Sequence, residues 1–292
     1  MKTTTTYTGF DYLKPKTLEE ACKLIAKYKN ARLLAGGTDL KVMMGCRGLM
    51  PSRVISLESV SDLNYITYDK AGLRIGALAT MTDVSNAPVV REKFPMLAQA
   101  TEQMGSPQIR NTATLIGNLC RAAPSADTAP PLIALGAKVK LVSASGERVI
   151  PLEQFFIGPG ETVLRSDEIL AEVQVSNPAP NTSGTYVRVS ARNAMAIAIV
   201  GVAALVTMDA KRTGISDARI VLGAVAPTPI RATRAEYLLK GKPADAALIE
   251  KAAQAAAEAS KPISDTRGTA RYRREMVRVL VNQALKQVTG KA

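Results

Sequence analysis

The order of apolar and polar residues predicts a helix near the N-terminus, followed by a short strand and a turn. Thr17-Leu-Glu-Glu20 has the spacing of a capping box, and apolar residues then recur at helical spacing as far as Tyr28. The pattern places the end of this helix at Asn30. Residues 31–35 form an apolar run typical of a buried strand, and Gly36-Gly37-Thr38-Asp39 indicates a tight turn.

The rest of the chain divides at a segment of linker composition. Residues 177–184, NPAPNTSG, predict a boundary between domains 1–177 and 185–292, and the strands-then-helices order of the second part favours an α+β domain. Residues 111–131 alternate polar and apolar residues without a period and predict an ordered, buried loop. Strands are predicted at 53–57, 73–78, 138–142, 148–150, 169–175, 186–190, 197–208 and 218–225, and helices at 95–104, 244–259 and 269–287.

Composition excludes several kinds of chemistry. The 292 residues suffice for about two domains, and the 47% hydrophobic content is that of a globular chain. Without histidine, the chain has no Ser-His-Asp or Cys-His nucleophile system and no histidyl link to a flavin. The net charge is +13, of which +6 lies in residues 267–292. A basic helix with little aromatic interleaving is typical of a solvated face or of an acidic protein partner, so nucleic-acid binding is not expected.

The cysteines and the apolar runs indicate a cytoplasmic protein. Cys22, Cys46 and Cys120 are dispersed and show no CxxC spacing, so neither a disulfide framework nor a metal site is expected. The N-terminal residues lack the apolar stretch of a secretory signal, and the longest apolar run, 194–206, is too short for a bilayer. We therefore expect no membrane span.

Two glycine-containing segments carry the candidate chemistry. In Leu33–Leu40, paired glycines allow successive N–H groups to point into one concavity, which suits a diphosphate, although a plain tight turn has the same pattern. The spacing matches neither GxGxxG nor GxxxxGK[ST]. The second segment places Thr114, Gly117, Asn118 and Asp127 among apolar residues. A nucleotide could supply hydrogen-bond partners for these polar side chains, and so could Asx-type turns within the segment.

Three segments together resemble one family over nearly the whole chain. LLAGGTDL (33–40), PQIRNTATLIGNLCRAAPSADTAPPL (107–132) and RNAMAIAIVGVAAL (192–205) are similar to the FAD-binding medium subunit of molybdenum hydroxylases. This family includes the flavin subunits of bacterial carbon monoxide dehydrogenase and xanthine dehydrogenase. The resemblance implies an α+β fold, with a vanillyl-alcohol-oxidase-type FAD-binding domain in two subdomains and a smaller α+β C-terminal domain.

The resemblance also implies cofactor contacts. Asp127 corresponds to a carboxylate that hydrogen-bonds polar groups of FAD, and Leu170 and Arg188 correspond to residues near the flavin ring. Two residues depart from the family. It has a small or hydroxyl residue at the position of Arg121, and a glycine at the position of Ile116. We expect Arg121 near the diphosphate, and the alternatives are a carboxylate such as Asp127, the solvent or a partner subunit. The residues expected to face the diphosphate are Leu33, Leu34, Ala35, Gly36, Gly37, Thr38, Asp39, Leu40, Thr114, Gly117 and Asn118.

The function implied by the resemblance is that of a flavoprotein subunit in an oxidoreductase complex. Electrons would come from [2Fe-2S] clusters on one partner subunit, after oxidation of substrate at a molybdenum cofactor on another, and would leave to NAD, a quinone or another carrier. No catalytic side chain is expected in this chain, and FAD would be bound non-covalently. A standalone FAD-dependent oxidoreductase and a flavin-free scaffold are the alternatives. The basic helix, with Arg271, Arg273, Arg274 and Arg278, would either dock on an acidic partner surface or be solvated.

Overall fold

A computed structural model describes residues 9–192 and 194–290. Residues 1–8, on which part of the signal-sequence argument rests, and residue 193 of the third family segment lie outside the described residues. The strands are β1 (Asp11–Leu13), β2 (Ala31–Leu34), β3 (Arg53–Ser56), β4 (Ile66–Asp69), β5 (Gly72–Gly76), β6 (Lys138–Ser143), β7 (Gly146–Pro151), β8 (Phe156–Gly158), β9 (Glu161–Thr162), β10 (Ile169–Val175), β11 (Thr182–Ser190), β12 (Ala198–Met208), β13 (Ile215–Gly223) and β14 (Ile230–Arg231). The helices are α1 (Leu18–Lys27), α2 (Leu40–Cys46), α3 (Met81–Asn86), α4 (Pro88–Lys93), α5 (Pro95–Gln103), α6 (Pro107–Arg110), α7 (Leu115–Arg121), α8 (Ala129–Ala134), α9 (Thr233–Leu239), α10 (Ala246–Ala259) and α11 (Ala270–Thr289).

The first part of the chain combines two sheets around one core. A parallel sheet has the strand order β1-β3-β2, and an antiparallel sheet has the order β4-β5-β10-β6-β7. Helix α1 connects β1 to β2 as the parallel pairing requires, and its buried Ala21, Cys22 and Ile25 lie on one face at helical spacing. The same core continues into helices α3, α5, α7 and α8.

The second part is an antiparallel sheet buried on both faces. Its order is β11-β12-β13-β14, and α9, α10 and α11 cover one face while α5 and α8 of the first part pack on the other. In β12, Ala203 belongs to the core of the first part, whereas Val202 and Ala204 belong to the core under α9–α11. Because alternate residues enter two different cores, the strand is apolar almost throughout. The predicted α+β fold is confirmed.

The prediction of a loop over residues 111–131 is wrong, because the segment contains α7 and the beginning of α8. Each helix has at most seven residues, too few for an apolar period to become visible. Helix α1 ends at Lys27, before the predicted Asn30. Strand β11 begins at Thr182, inside the predicted linker, because its first residues pair with the end of β12. The domain bounds 1–177 and 185–292 stay a prediction.

The four arginines of α11 do not form one docking surface. Arg273 is buried and donates to the carbonyls of Ile199 and Ala224 and to Asp265, so it holds the helix to the end of the sheet. The backbone N–H of Arg267 and the Arg273 guanidinium lower the pKa of Asp265 to about 2. Arg278 pairs with acidic side chains on α10 and α11. The docking hypothesis is thus wrong for Arg273.

None of the helices in the described part of the chain is both long and apolar enough to cross a bilayer.

Candidate nucleotide-binding cavity

A cavity of about 500 Å³ opens where the ends of β2, α7 and β10 meet. This volume lies in the range of small-molecule and cofactor sites. Its wall is mostly apolar, with a few polar and charged groups. The lining residues are Arg32, Leu33, Ala35, Gly36, Thr38, Asp39, Leu40, Met43, Leu49, Leu57, Ala77, Met104, Ile109, Ala113, Thr114, Ile116, Gly117, Asn118, Cys120, Arg121, Gly160, Leu164, Glu168, Ile169 and Leu170.

The glycine turn after β2 supplies backbone donors to the cavity. Gly37 has φ +71°, a left-handed conformation that glycine adopts without a Cβ penalty. Among the described residues, the N–H groups of Gly36, Gly37 and Thr38 donate to no other backbone or side-chain atom. Successive free N–H groups in a turn form an anion-binding concavity. The turn therefore has the donors that a phosphate group requires.

A close backbone contact joins this turn to the segment before α7. A Cβ placed on Gly36 would lie 1.9 Å from the Thr112 carbonyl oxygen and 2.7 Å from its carbonyl carbon. The second segment is fixed in turn, because Met81 N–H donates to Ala113 O and Leu115 N–H donates to Ala79 O. Only glycine at position 36 allows the two segments to form one wall.

Helix α7 begins inside the cavity wall. The Thr114 hydroxyl caps the helix by accepting a 3.0 Å hydrogen bond from Gly117 N–H. A Cβ on Gly117 would lie 2.8 Å from that hydroxyl oxygen, so glycine keeps the cap geometry. Thr114 lines the cavity, and besides this accepted bond its hydroxyl keeps its proton and one lone pair.

Arg121, at the end of α7, lies against the glycine turn. Its Nε is 3.5 Å from Asp39 Oδ1, and its side chain is 23% exposed. The carboxylate beside Arg121 is therefore Asp39 and not Asp127, the carboxylate named as an example among the alternatives. Arg121 lines the cavity, which places a guanidinium beside the free N–H groups of the turn. Both groups favour an anionic ligand there.

Asp127 and Arg188 lie outside the cavity wall and pair with each other. Arg188 Nη1 donates to Asp127 Oδ2 at 2.8 Å and the Tyr186 hydroxyl donates to Asp127 Oδ1 at 2.7 Å. The Asp127 and Arg188 side chains are 7% and 4% exposed. Burial raises the pKa of Asp127 above its ordinary value, while the charge of Arg188 and the hydrogen bond from Tyr186 oppose this. The pair fastens the segment after α7 to β11 of the second sheet.

The other predicted contacts are mostly brought together. The predicted residues that line the cavity are Leu33, Ala35, Gly36, Thr38, Asp39, Leu40, Thr114, Gly117, Asn118, Arg121 and Leu170, and those that do not are Leu34, Gly37, Asp127 and Arg188. Ile116 is buried and also borders the cavity. Contact between any of these residues and FAD stays a prediction.

The wall formed by the β8–β9 turn and the segment after it was not predicted from the sequence. Gly160, Leu164 and Glu168 line the cavity there. The Gly-Pro-Gly turn at 158–160 was the available signal, since Gly160 has φ +81° and a Cβ there would lie 3.3 Å from Arg121 Nη1. Hydrogen bonds from Arg148 hold the pKa of Glu168 below its ordinary value, so this carboxylate stays ionised.

The titratable groups of the cavity wall include Glu168 and Cys120. Glu168 is held by Arg148, and burial raises the pKa of the Cys120 thiol to about 12, which keeps it protonated. The turn after β2, with Gly36 and its free backbone N–H groups, fits the diphosphate of a flavin nucleotide, and so does Arg121. The apolar wall with Leu170 fits a ring system. The residues present therefore fit a flavin nucleotide.

Comparison with known proteins gives matches over both parts of the chain. Residues 8–178 match the family described as "FAD binding domain in molybdopterin dehydrogenase", and residues 185–288 match "CO dehydrogenase flavoprotein C-terminal domain". The chain is 30% identical to a putative xanthine dehydrogenase FAD-binding subunit of Escherichia coli (strain K12), covering 96% of each chain. It is 33% identical to the glyceraldehyde dehydrogenase medium chain of Sulfolobus acidocaldarius, covering 96% of this chain and 98% of that one. It superposes on carbon monoxide dehydrogenase from Hydrogenophaga pseudoflava with a TM-score of 0.93 at 31% identity, covering 98% and 99% of the two chains.

Proposed function

The chain belongs to the family of FAD-binding medium subunits of molybdopterin dehydrogenases, and from this membership we propose that it passes electrons through FAD from an iron–sulfur partner to a separate acceptor. It is a flavoprotein subunit of an oxidoreductase complex of the molybdenum hydroxylase type. The observation that carries the proposal is the cavity, which has a glycine cradle and a guanidinium at one wall and apolar residues at another. When bound, FAD supplies the electron-transfer chemistry, and the protein supplies binding and orientation.

Each wall of the cavity has a separate part in holding the cofactor. Gly36 and Thr38 offer backbone donors to the diphosphate, and Arg121 offers its guanidinium. The buried Leu170, at the start of β10, excludes water from the apolar wall. Asp127 and Arg188, which the resemblance assigns to the cofactor, also hold the segment after α7 against the second sheet.

The partners follow from what the chain lacks. Cys22 is buried against Val142 O, Cys46 is exposed, and Cys120 lies at the cavity, so these free cysteines do not share one site. Because an iron–sulfur cluster requires four ligands held together, we assign the [2Fe-2S] clusters to a second subunit and the molybdenum cofactor to a third. The electron acceptor is NAD, a quinone or another carrier.

The native assembly tests this proposal. We expect it to contain one FAD per copy of this chain, together with molybdenum and iron, when it is purified from its host and analysed for metals. Denaturation with acid should release all of the flavin into the supernatant, because the chain has no histidine for a histidyl link. An assembly without flavin would overturn the proposal, flavin retained on the precipitated chain would contradict non-covalent binding, and FAD without metal-bearing partners would favour a standalone flavoprotein.

Arg121→Ser should weaken FAD affinity of the full chain by about 1.5–3 kcal/mol, the contribution of a hydrogen bond to a charged group. Arg121→Lys should be intermediate, since an ammonium keeps the charge but not the forked donors. Fluorescence titration of the apoprotein with FAD measures both. Arg234→Ser is the matched control, because it removes a surface arginine that is paired with Glu258 away from the cavity. Unchanged affinity in both Arg121 variants would remove this residue from the cofactor site.

A further inference from the structure

Thr128 precedes helix α8 in the position of an N-cap residue, yet its hydroxyl makes no capping bond. A capping threonine normally accepts from the N–H groups of the second or third helical residue. In α8 these residues are Pro130 and Pro131, which have no N–H. The hydroxyl of Thr128 is therefore released from the role that its position normally gives it.

The Thr128 hydroxyl donates instead to Asn118 Oδ1, at 2.7 Å. Thr128 is completely buried, which makes this contact a fixed one. Asn118 lies on α7 and lines the cavity. Its carboxamide is thus held from behind by a side chain that itself does not reach the cavity.

The hydrogen bond determines which end of the Asn118 amide is free. A carboxamide has an acceptor oxygen and a donor NH₂ group, and the oxygen is engaged by Thr128. Within residues 9–192 and 194–290, Asn118 Nδ2 donates a hydrogen bond to no protein atom. This nitrogen is not fully buried either, because it is absent from the buried polar atoms that lack a partner. The NH₂ group is the end that remains for a ligand in the cavity.

We propose that Thr128 is a positioning residue that fixes the Asn118 amide so that its NH₂ group donates to an acceptor atom of the bound flavin nucleotide. This inference rests on the proposed function, because it needs a flavin nucleotide in the cavity. The two prolines after Thr128 are part of the device, since they leave the hydroxyl without donors to cap. Thr128 acts on the cofactor only through Asn118.

The test is FAD affinity of the full-length apoprotein, measured by fluorescence titration. Thr128→Val should raise the Kd of FAD about threefold to tenfold, which is the effect expected for the loss of one hydrogen bond, since about 1.4 kcal/mol changes a Kd tenfold. Thr128→Ser, which keeps the hydroxyl, should restore affinity to within about twofold. In the Asn118→Ala background, Thr128→Val should have no further effect, because the amide it positions is gone.

Asn118→Asp tests the direction of the amide. Its second carboxylate oxygen would replace the NH₂ group, so the Kd should rise further than in Asn118→Ala. A Kd for Asn118→Asp equal to or below that of Asn118→Ala would show that an acceptor faces the ligand, and this would overturn the proposal.

Thr101→Val is the matched control for the loss of a buried hydroxyl. Thr101 is also fully buried, but it donates only to carbonyls of its own helix, so the FAD Kd should not change. Thermal unfolding of each apoprotein separates affinity from stability. If wild type binds FAD and Thr128→Val has the same Kd, the inference is wrong and the proposed function stands. The same holds if Thr128→Val raises the Kd by the same factor in the wild-type and in the Asn118→Ala background. If wild type does not bind FAD, the proposed function itself is wrong.

Discussion

Gly36→Ala is expected to lower the affinity for FAD by about 10- to 100-fold, because overpacking of this kind costs about 1–3 kcal/mol. The new Cβ would lie 1.9 Å from Thr112 O, and no rotamer change can relieve a contact between two backbone segments. The turn and the segment before α7 must therefore move apart by more than an ångström. Since both line the cavity, the donors of the turn would no longer converge on the diphosphate. The flavin-to-protein absorbance ratio of the purified chain and an FAD titration measure this loss.

Two other glycines of this region separate a cavity effect from a general one. Gly45, inside α2, has no atom within 4 Å of a built Cβ, so Gly45→Ala should leave FAD binding unchanged. Gly37 does not line the cavity, and a Cβ there would meet only the flexible Leu34 side chain at 2.8 Å. Its positive φ makes substitution cost about 1–2 kcal/mol of conformational strain. A Gly36→Ala protein that keeps its full FAD content would show that the turn at Gly36 and the segment before α7 tolerate separation.

Arg188→Met is expected to destabilise the fold by about 3–5 kcal/mol, because it leaves the buried carboxylate of Asp127 without its cation. The loss should depend on pH. Burial already raises the Asp127 pKa above the value in the unfolded chain, and removing Arg188 removes the largest opposing cause. The folded variant then binds a proton more tightly than the unfolded chain does. The stability linked to this proton is fully present below the unfolded pKa and is lost as pH rises through the folded pKa.

Urea unfolding at pH 5 and pH 8 checks this sign. The difference in unfolding free energy between wild type and Arg188→Met should be larger at pH 8 than at pH 5. The double variant Arg188→Met, Asp127→Asn carries no charge at the pair, so it should be more stable than Arg188→Met at pH 8 and should show no widening. A gap that is the same at both pH values would mean that Asp127 is not the group that the lost arginine exposes.

Strand β10 and helices α10 and α11 could be predicted from the sequence because their patterns repeat. Strand β10 has the predicted bounds of 169–175, and α10 and α11 begin and end within two residues of the predicted positions. Their apolar residues recur over several turns or along a full strand, and a threonine or aspartate caps each helix start. Helices α7 and α8 were missed because one or two turns contain too few residues to show a period.

The candidate site was predictable from the resemblance only as far as the glycine turn, α7 and Leu170. Gly36, Asn118 and Arg121 lie in the segments that carried the resemblance, and the structure brings them to one cavity. The wall from Gly160 to Glu168 has no such signature, because its place at the cavity depends on how the β8–β9 hairpin packs on α7. The pairing of Arg121 with Asp39 was not foreseen for a related reason, since Asp39 is distant in sequence and adjacent in space.

By itself, the sequence determined the fold class and the family and named candidate cofactor residues, because the resemblance rests on motifs of neighbouring residues. The tertiary structure alone decided the pairings Asp127–Arg188, Arg121–Asp39 and Thr128–Asn118. Each pairing joins groups that packing brings into contact, and a buried polar or charged group must find its partner wherever the fold places one. Which of several carboxylates or hydroxyls that partner is depends on ångström distances that no spacing along the chain encodes.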